Sequence, residues 1–302
     1  MSGPVFFFLS FTAIFILASW ALYLPYRMGQ LHFLVIPNMV ISAYFGALVS
    51  GAAVSGAQGA AHWPFFAVLL GAVILSALIG FLVSLCIGDA PCFSVAIVGL
   101  TFMFLVRTIA ENTPFLGRTL GMYGVPRIID STQGNRLFLV ILIYLILLLV
   151  GFLVYRFDRS PLGRAASCIF ADRDMALSLG INIKTMGMLL QTASSAMGGL
   201  AGVLYLYVTR SISPAFITFQ NLGLFVTMLF VGGYTTQWGI LLVTPILWGI
   251  PLIMPEALQG WKNVFYALIL IVILMVRPEG VITRPALRKI LPWISTSVWR
   301  KR

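Results

Sequence analysis

Charged residues are scarce in this chain. Only 9% of its 302 residues are Asp, Glu, Lys or Arg, while 60% are apolar. A soluble domain carries about 25% charged residues. The shortage excludes a water-soluble fold, and the apolar surplus excludes disorder. Cysteine occurs three times, as Cys86, Cys92 and Cys168. The number is odd and two of the three sit in apolar runs, so no disulfide framework is expected. Histidine occurs twice, as His32 and His62. The two are far apart and not in metal spacing, and each is expected at the membrane interface. The dipeptide Gly-Lys never occurs, so the chain has no GxxxxGK[ST] phosphate loop. No paired carboxylates lie within an apolar run. A proton- or sodium-driven transporter usually buries an ionisable residue in mid-membrane. With none in view, any driving force is expected from another subunit.

What is present is a series of apolar segments. Nine can be drawn, at roughly 5–24, 33–55, 64–87, 91–106, 137–155, 185–208, 216–233, 239–255 and 264–276. A spanning helix needs about 20 apolar residues. The pattern predicts an all-α polytopic membrane protein with about nine transmembrane helices, drawn as one membrane domain over residues 1–302. The fourth, seventh, eighth and ninth segments are short for a full span. Pro37, Gly223, Pro245 and Pro251 mark several segments, either as broken helices beside a path or as ordinary kinks. No basic region precedes Val5, so the first segment is expected to be a retained helix rather than a cleaved signal.

Lysine and arginine set the orientation. The loop 156–184 holds Arg156, Arg159, Arg164, Arg173 and Lys184, and the tail 277–302 holds seven more basic residues. Both are expected in the cytoplasm, which places the N-terminus outside. The segment 107–136 is then basic on the outer face, a mild violation of the rule. Either it has a reason to be basic there, or the span count before it is off by one. Arg118 and Arg127 lie farthest from the span ends and are the candidates for docking an acidic partner. The net charge of +11 is better explained by topology and anionic lipid than by nucleic acid.

The loop between the fifth and sixth segments is the informative one. Residues 160–182 read SPLGRAASCIFADRDMALSLGIN. Ser160–Pro161 opens a turn, and Ser160 is a candidate cap. A helical pattern runs over 164–179, with Ala165, Ile169, Ala176 and Leu179 on one face. Gly180 is placed to stop it. The segment is either a docking helix with a small-residue face or an amphipathic helix on the bilayer. In the next apolar segment, Ser194, Gly198 and Gly202 repeat every four residues, with Ser195 and Gly199 beside them. Such a stripe packs helices closely, either within one subunit or at a seam between two. Gln191 and Ser195 share a face. With Asn38, Ser42, Gln220 and Asn221 they are candidates to line a path, or else to hydrogen-bond between helices.

The 160–182 segment resembles the coupling loop of ABC importer permeases, most closely the branched-chain amino acid permeases of the LivH/LivM type. The matching residues are Ser160, Pro161, Gly163, Arg164, Ala176, Leu179, Gly180, Ile181 and Asn182. The resemblance continues through SSAMGGLAGVLY at 194–205, ISPAF at 212–216, FVGGYTTQWG at 230–239 and RPEG at 277–280, and touches the Gly29–Gln30 pair. It departs at Gly121–Met122–Tyr123–Gly124 and at 220–224, QNLGL, where the family has a more polar loop and often a glutamate.

The resemblance implies a bacterial inner-membrane permease subunit that is not itself an enzyme. It implies a second permease subunit, two cytosolic ATPases and a periplasmic solute-binding protein as partners. ATP and magnesium would be used by the ATPases, with no cofactor bound by this chain. The cargo class implied is branched-chain or other hydrophobic amino acids, or a related small polar solute. Gly163, Arg164, Asp172, Arg173, Asp174, Ala176 and Gly180 become the expected ATPase contacts. The alternative is a self-contained secondary transporter or channel, which the lack of a buried ionisable residue opposes.

Overall fold

The computed structural model describes residues 3–51, 63–126, 128, 132–253 and 261–276. Helices dominate: α1 (Gly3–Tyr26), α2 (Val35–Val49), α3 (Phe65–Ile87), α4 (Cys92–Asn112), α5 (Thr132–Arg159), α6 (Pro161–Ala171), α7 (Arg173–Ser178), α8 (Ile183–Thr209), α9 (Phe219–Gly232), α10 (Gln237–Ile253) and α11 (Lys262–Val276). Each of the nine apolar segments carries a helix. Five of these helices, α1, α3, α4, α5 and α8, are long and apolar enough to cross a membrane.

Two lengths differ from expectation. The fourth segment is not short: α4 continues to Asn112, because Arg107 and Glu111 pair across one helical turn at 2.8 Å and let the helix carry charge. The second is shorter than drawn. Helix α2 has only 15 residues, and non-helical chain at 30–34 leads into it. Phe33 packs against Gly99 near the middle of α4, where a built Cβ would lie 3.0 Å from the Phe33 backbone nitrogen. The second segment is therefore a non-helical entry with a turn at 33–34, followed by a short helix. Irregular backbone is tolerated at such depth only inside protein, and Leu34, Val35 and Ile36 are all buried.

The chain forms two compact units, Met1–Phe225 and Val226–Arg302. In the first, α8 packs against α1, α2 and α3, and α5 packs against α1. Lipid offers no hydrophobic drive to hold apolar helices together, so close van der Waals approach must do it. The sequence supplies this on α3 as well as α8. Val68, Ala72, Ser76, Gly80 and Ser84 repeat every four residues and are the buried face of α3. They meet Gln191, Ser195 and Gly199 on the antiparallel α8. A methyl group at Gly80 would overlap the Ser195 side chain, one at Gly199 would overlap Ser76, and one at Gly187 would overlap the Gly88 carbonyl. The neighbouring stripe of α8 faces α2: Gly198 lies against Val35, and a methyl group at Gly202 would overlap the Met39 carbonyl. The small-residue stripe thus packs within one subunit.

In the second unit, Gly233 (φ +102°) turns the chain after α9, Gly232 touches the backbone of Ile240, and Tyr266 Oη donates to the Leu247 carbonyl at 3.0 Å. The basic tail and the RPEG motif lie outside the described residues.

Candidate functional site

The 160–182 loop folds as a pair of short helices held by three caps. Ser160 Oγ accepts from the Gly163 amide at 3.2 Å and starts α6, with Pro161 in the first turn. Asp172 accepts from the amides of Asp174 and Met175 at 2.9 and 3.0 Å and starts α7. Asn182 accepts from the Thr185 amide at 3.0 Å and starts α8. Gly180 (φ +78°) closes α7 in the left-handed conformation, as expected. The helical pattern read over 164–179 is interrupted at Asp172 and makes two short helices, because the Asp172 carboxylate competes for the amides of the next turn. Replacing Asp172 with alanine should cost about 1 kcal/mol. Amide hydrogen exchange should then rise at 173–178, while α8 keeps its protection.

That break resets the helical phase, so the expected face is also corrected. Ala166, Ile169 and Ala176 turn inward and form a cluster with Met28, Ile183, Met186 and Leu190. Ala176 is fully buried and is not a surface contact. Of the four residues expected on the outward face only Leu179 is exposed, at 64%, with Met175 and Leu177 exposed beside it. Gly163 is also buried, and a side chain there would collide with the Phe157 carbonyl, so its role is the tight corner between α5 and α6. Of the remaining candidates, Arg164, Asp172 and Asp174 are exposed. Arg173 is half-buried and donates to the Asp89 carbonyl in the α3–α4 turn.

Beneath the hairpin lies a polar cluster that the sequence reading missed. Arg27 Nε sits 3.3 Å from Asp158 Oδ1. Tyr23 Oη donates to Asp158 Oδ2 at 2.7 Å, and the Arg27 guanidinium donates to Ser167 Oγ on α6 at 2.7 Å. Gln30 donates to the Gly88 and Ala90 carbonyls at 3.2 and 2.8 Å and accepts from Gln191 at 2.7 Å. His32, expected at the interface, is fully buried beside Ser195, with Nε2 to Oγ 3.2 Å. The signal available was Arg27 itself, a lone cation at the end of an apolar span.

The six path candidates divide. Asn38, Ser42, Gln191 and Ser195 are fully buried on α2 and α8. Ser42 donates to the Met39 carbonyl at 2.9 Å, and both amide atoms of Asn38 find no partner among the described residues. Gln220 and Asn221 do not join them. They sit at the start of α9, where Gln220 is exposed and Asn221 donates to the Phe216 carbonyl at 2.8 Å. Asn221 is a turn residue, placed by the polar needs of the backbone at a helix start.

At the opposite end of α5, which is about 42 Å long at 1.5 Å per residue, a small platform caps the bundle. Strands β1 (Met122–Tyr123) and β2 (Ser211–Ile212) pair antiparallel. Arg210 Nε donates to the Val125 carbonyl at 2.8 Å, and Arg107 donates to the Ile217 carbonyl at 3.2 Å. Gly121 (φ +75°) lies so close to the Ile212 carbonyl that no side chain fits. This explains the departing Gly121–Met122–Tyr123–Gly124 motif: it is a strand edge, not a polar loop. Arg118 is exposed on this platform. Arg127 lies outside the described residues.

Among the described residues no group of three or more His, Cys, Asp or Glu could hold a metal. In the first unit a helical bundle carries the capped hairpin at one end and the tied platform at the other. The sequence profile described as "Branched-chain amino acid transport system / permease component" matches residues 5–275. The chain is similar to the "High-affinity branched-chain amino acid transport system permease protein LivM" of Escherichia coli K12, at 27% identity over 157 residues. It is equally similar to the protein of that name from Salmonella typhimurium LT2, again 27% over 157 residues. Each match covers 50% of this chain and 36% of the relative. No solved structure matches significantly. With nine-tenths of its length inside one profile, this multi-pass membrane chain belongs to the permease-component family of branched-chain amino acid transport systems.

Proposed function

We propose that the chain is one transmembrane subunit of a binding-protein-dependent ABC importer in a bacterial inner membrane. It works with a second permease, two cytosolic ATPases that use ATP and magnesium, and a periplasmic binding protein. Its cargo is a branched-chain or other hydrophobic amino acid, a class suggested by the family and by the LivM relatives. The observation that carries this reading is the capped α6–α7 hairpin, which exposes Met175, Leu177 and Leu179 at one end of the bundle. Apolar side chains on a preformed hairpin suit a partner groove, since little further ordering is needed on binding. Asp174 and Arg164 are the exposed polar contacts of the hairpin, and Gly180 offers bare backbone beside Leu179. Asn38 is the path contact we favour: a buried amide without a partner is costly, and cargo or water in an open state would satisfy it. Ser42, Gln191 and Ser195 line the same seam.

The test is to express the chain with the ATPases, permease and binding protein encoded beside it, and to measure leucine uptake and ATP hydrolysis in vesicles. Leucine-stimulated hydrolysis and uptake, both lost when this chain is omitted, are expected. Equal uptake without it would overturn the reading.

The platform end would face the periplasm and receive the binding protein. Exposed ion pairs contribute only about 0–1 kcal/mol each, and such charges act chiefly on encounter rate. Arg118→Glu, combined with Arg127→Glu, should therefore raise the binding-protein concentration needed for half-maximal uptake several-fold at low salt and leave the maximal rate unchanged. No change at low salt would remove both arginines from the docking surface.

A further inference from the structure

We propose that Arg27 and Asp158 are positioning residues that carry movement of the α6–α7 hairpin into helix α2. They would thereby couple ATP hydrolysis to solute passage without touching either nucleotide or solute. The inference rests on the importer reading above.

The covalent route from the hairpin leads only to α5 and α8. The non-covalent route leads elsewhere, to residues 23–30. Arg27 bridges Asp158 at the end of α5 and Ser167 on α6, and Tyr23 fixes the second carboxylate oxygen. Phe170 of α6 packs edge-on to Tyr26 with ring centroids 5.9 Å apart, and lies against Gly29, where a built Cβ would be 3.4 Å from it. Met28 completes the apolar cluster with Ala166, Ile169 and Ala176. The hairpin is thus fastened to the turn after α1 by an ion pair, a ring contact and an apolar contact.

The same turn leads directly into the membrane. Gly29 (φ +81°) reverses the chain, and Gln30 ties it to the α3–α4 turn and to Gln191. Two residues on, His32 meets Ser195 in the middle of α8, and α2 begins at Val35 against Gly198. Eight residues connect the clamp to the seam that holds Asn38. A displacement of α6 must either break the Arg27 bridge or move this segment.

The chemistry of the clamp favours a moving part. A buried ion pair gives little net stability over an apolar pair of similar size. What it gives is directional contact in one arrangement, the property needed where two arrangements alternate.

The experiment uses the assembled complex in vesicles, with radiolabelled leucine uptake and phosphate release read in the same samples. Asp158→Asn removes the charge but keeps the shape. Hydrolysis should stay within about twofold of the unaltered complex, while leucine moved per ATP falls about tenfold. Asp158→Glu should restore the ratio in part. Tyr23→Phe, which deletes one hydroxyl and leaves the ring, should lower the ratio in the same direction by a smaller factor. If uptake and hydrolysis fall together and the ratio holds in Asp158→Asn and Tyr23→Phe, the clamp is only a staple and the proposal is overturned. Amide hydrogen exchange on the purified complex provides an arm that does not depend on leucine. Asp158→Asn should raise exchange at 30–36 as well as at 161–171. A rise confined to 161–171 would overturn the proposal. Failure of the importer reading is distinguishable, because the unaltered complex would then show no leucine-stimulated hydrolysis at all.

Discussion

Gly202→Ala is expected to be among the most destabilising one-methyl changes in the first unit. The new Cβ would overlap the Met39 backbone carbonyl and the Ser42 hydroxyl, and a carbonyl inside a helix cannot rotate away. Helices α2 and α8 would have to separate. Overpacking of this kind costs about 1–3 kcal/mol, which lowers a thermal midpoint by roughly 2–5 °C in a chain of this size. Gly187→Ala should behave alike, because its methyl group would overlap the Gly88 carbonyl in the α3–α4 turn. Gly223→Ala is the control. It lies in α9 with nothing within 4 Å of a built Cβ, and alanine is the better helix former. The measurement is the thermal midpoint in detergent. A midpoint for Gly202→Ala equal to that of Gly223→Ala would show that α8 and α2 are not packed as described.

Leu179→Arg and Ala176→Arg lie three residues apart and should fail in different ways. Leu179 is exposed beyond α7, so a charge there leaves the hairpin folded. If the exposed face docks the ATPase, that charge would sit in an apolar groove. Leucine uptake should fall by at least about tenfold, with the permease still made in normal amounts, since one desolvated unpaired charge costs several kcal/mol. Met175→Glu should do the same. Ala176→Arg instead forces a guanidinium among Met28, Ile169 and Ile183. It should unfold the hairpin itself, which reads as loss of hydrogen-exchange protection at 161–178 before any ATPase is added. Normal uptake by Leu179→Arg would remove the apolar face from the docking surface. Full protection in Ala176→Arg would overturn the inward placement of that residue.

The positions of the helices were legible because lipid demands long apolar runs, and nothing else in the chain resembles one. The stop at Gly180 and the cap at Ser160 were legible for a local reason: each satisfies backbone geometry within a few residues. Asp172 was read as a charged surface contact, although it has the same capping chemistry as Ser160. Its effect was missed because a cap inside an apparently continuous helical pattern looks like a polar position on the outer face. Ala176, expected as a surface contact, turned inward in consequence. The cluster of Arg27, Tyr23, Asp158 and Ser167 joins residues up to 144 positions apart. No local pattern announces a partner so distant. The α3 stripe at 68, 72, 76, 80 and 84 was present in the sequence, but apolar residues on every other side of that helix masked it.

The seam between α3 and α8 also sets an order of events during synthesis. Translation proceeds at about 5–20 residues per second, so the roughly 120 residues between Ser76 and Gly199 take about 6–24 s to make. Throughout that interval the hydroxyls of Ser76 and Ser84 and the bare backbone at Gly80 have no α8 to meet. The nascent chain must keep them beside the insertion machinery, a chaperone or lipid. Helix α8 is therefore the piece that closes this seam, and a ribosome stalled before residue 183 leaves the small-residue face of α3 uncovered.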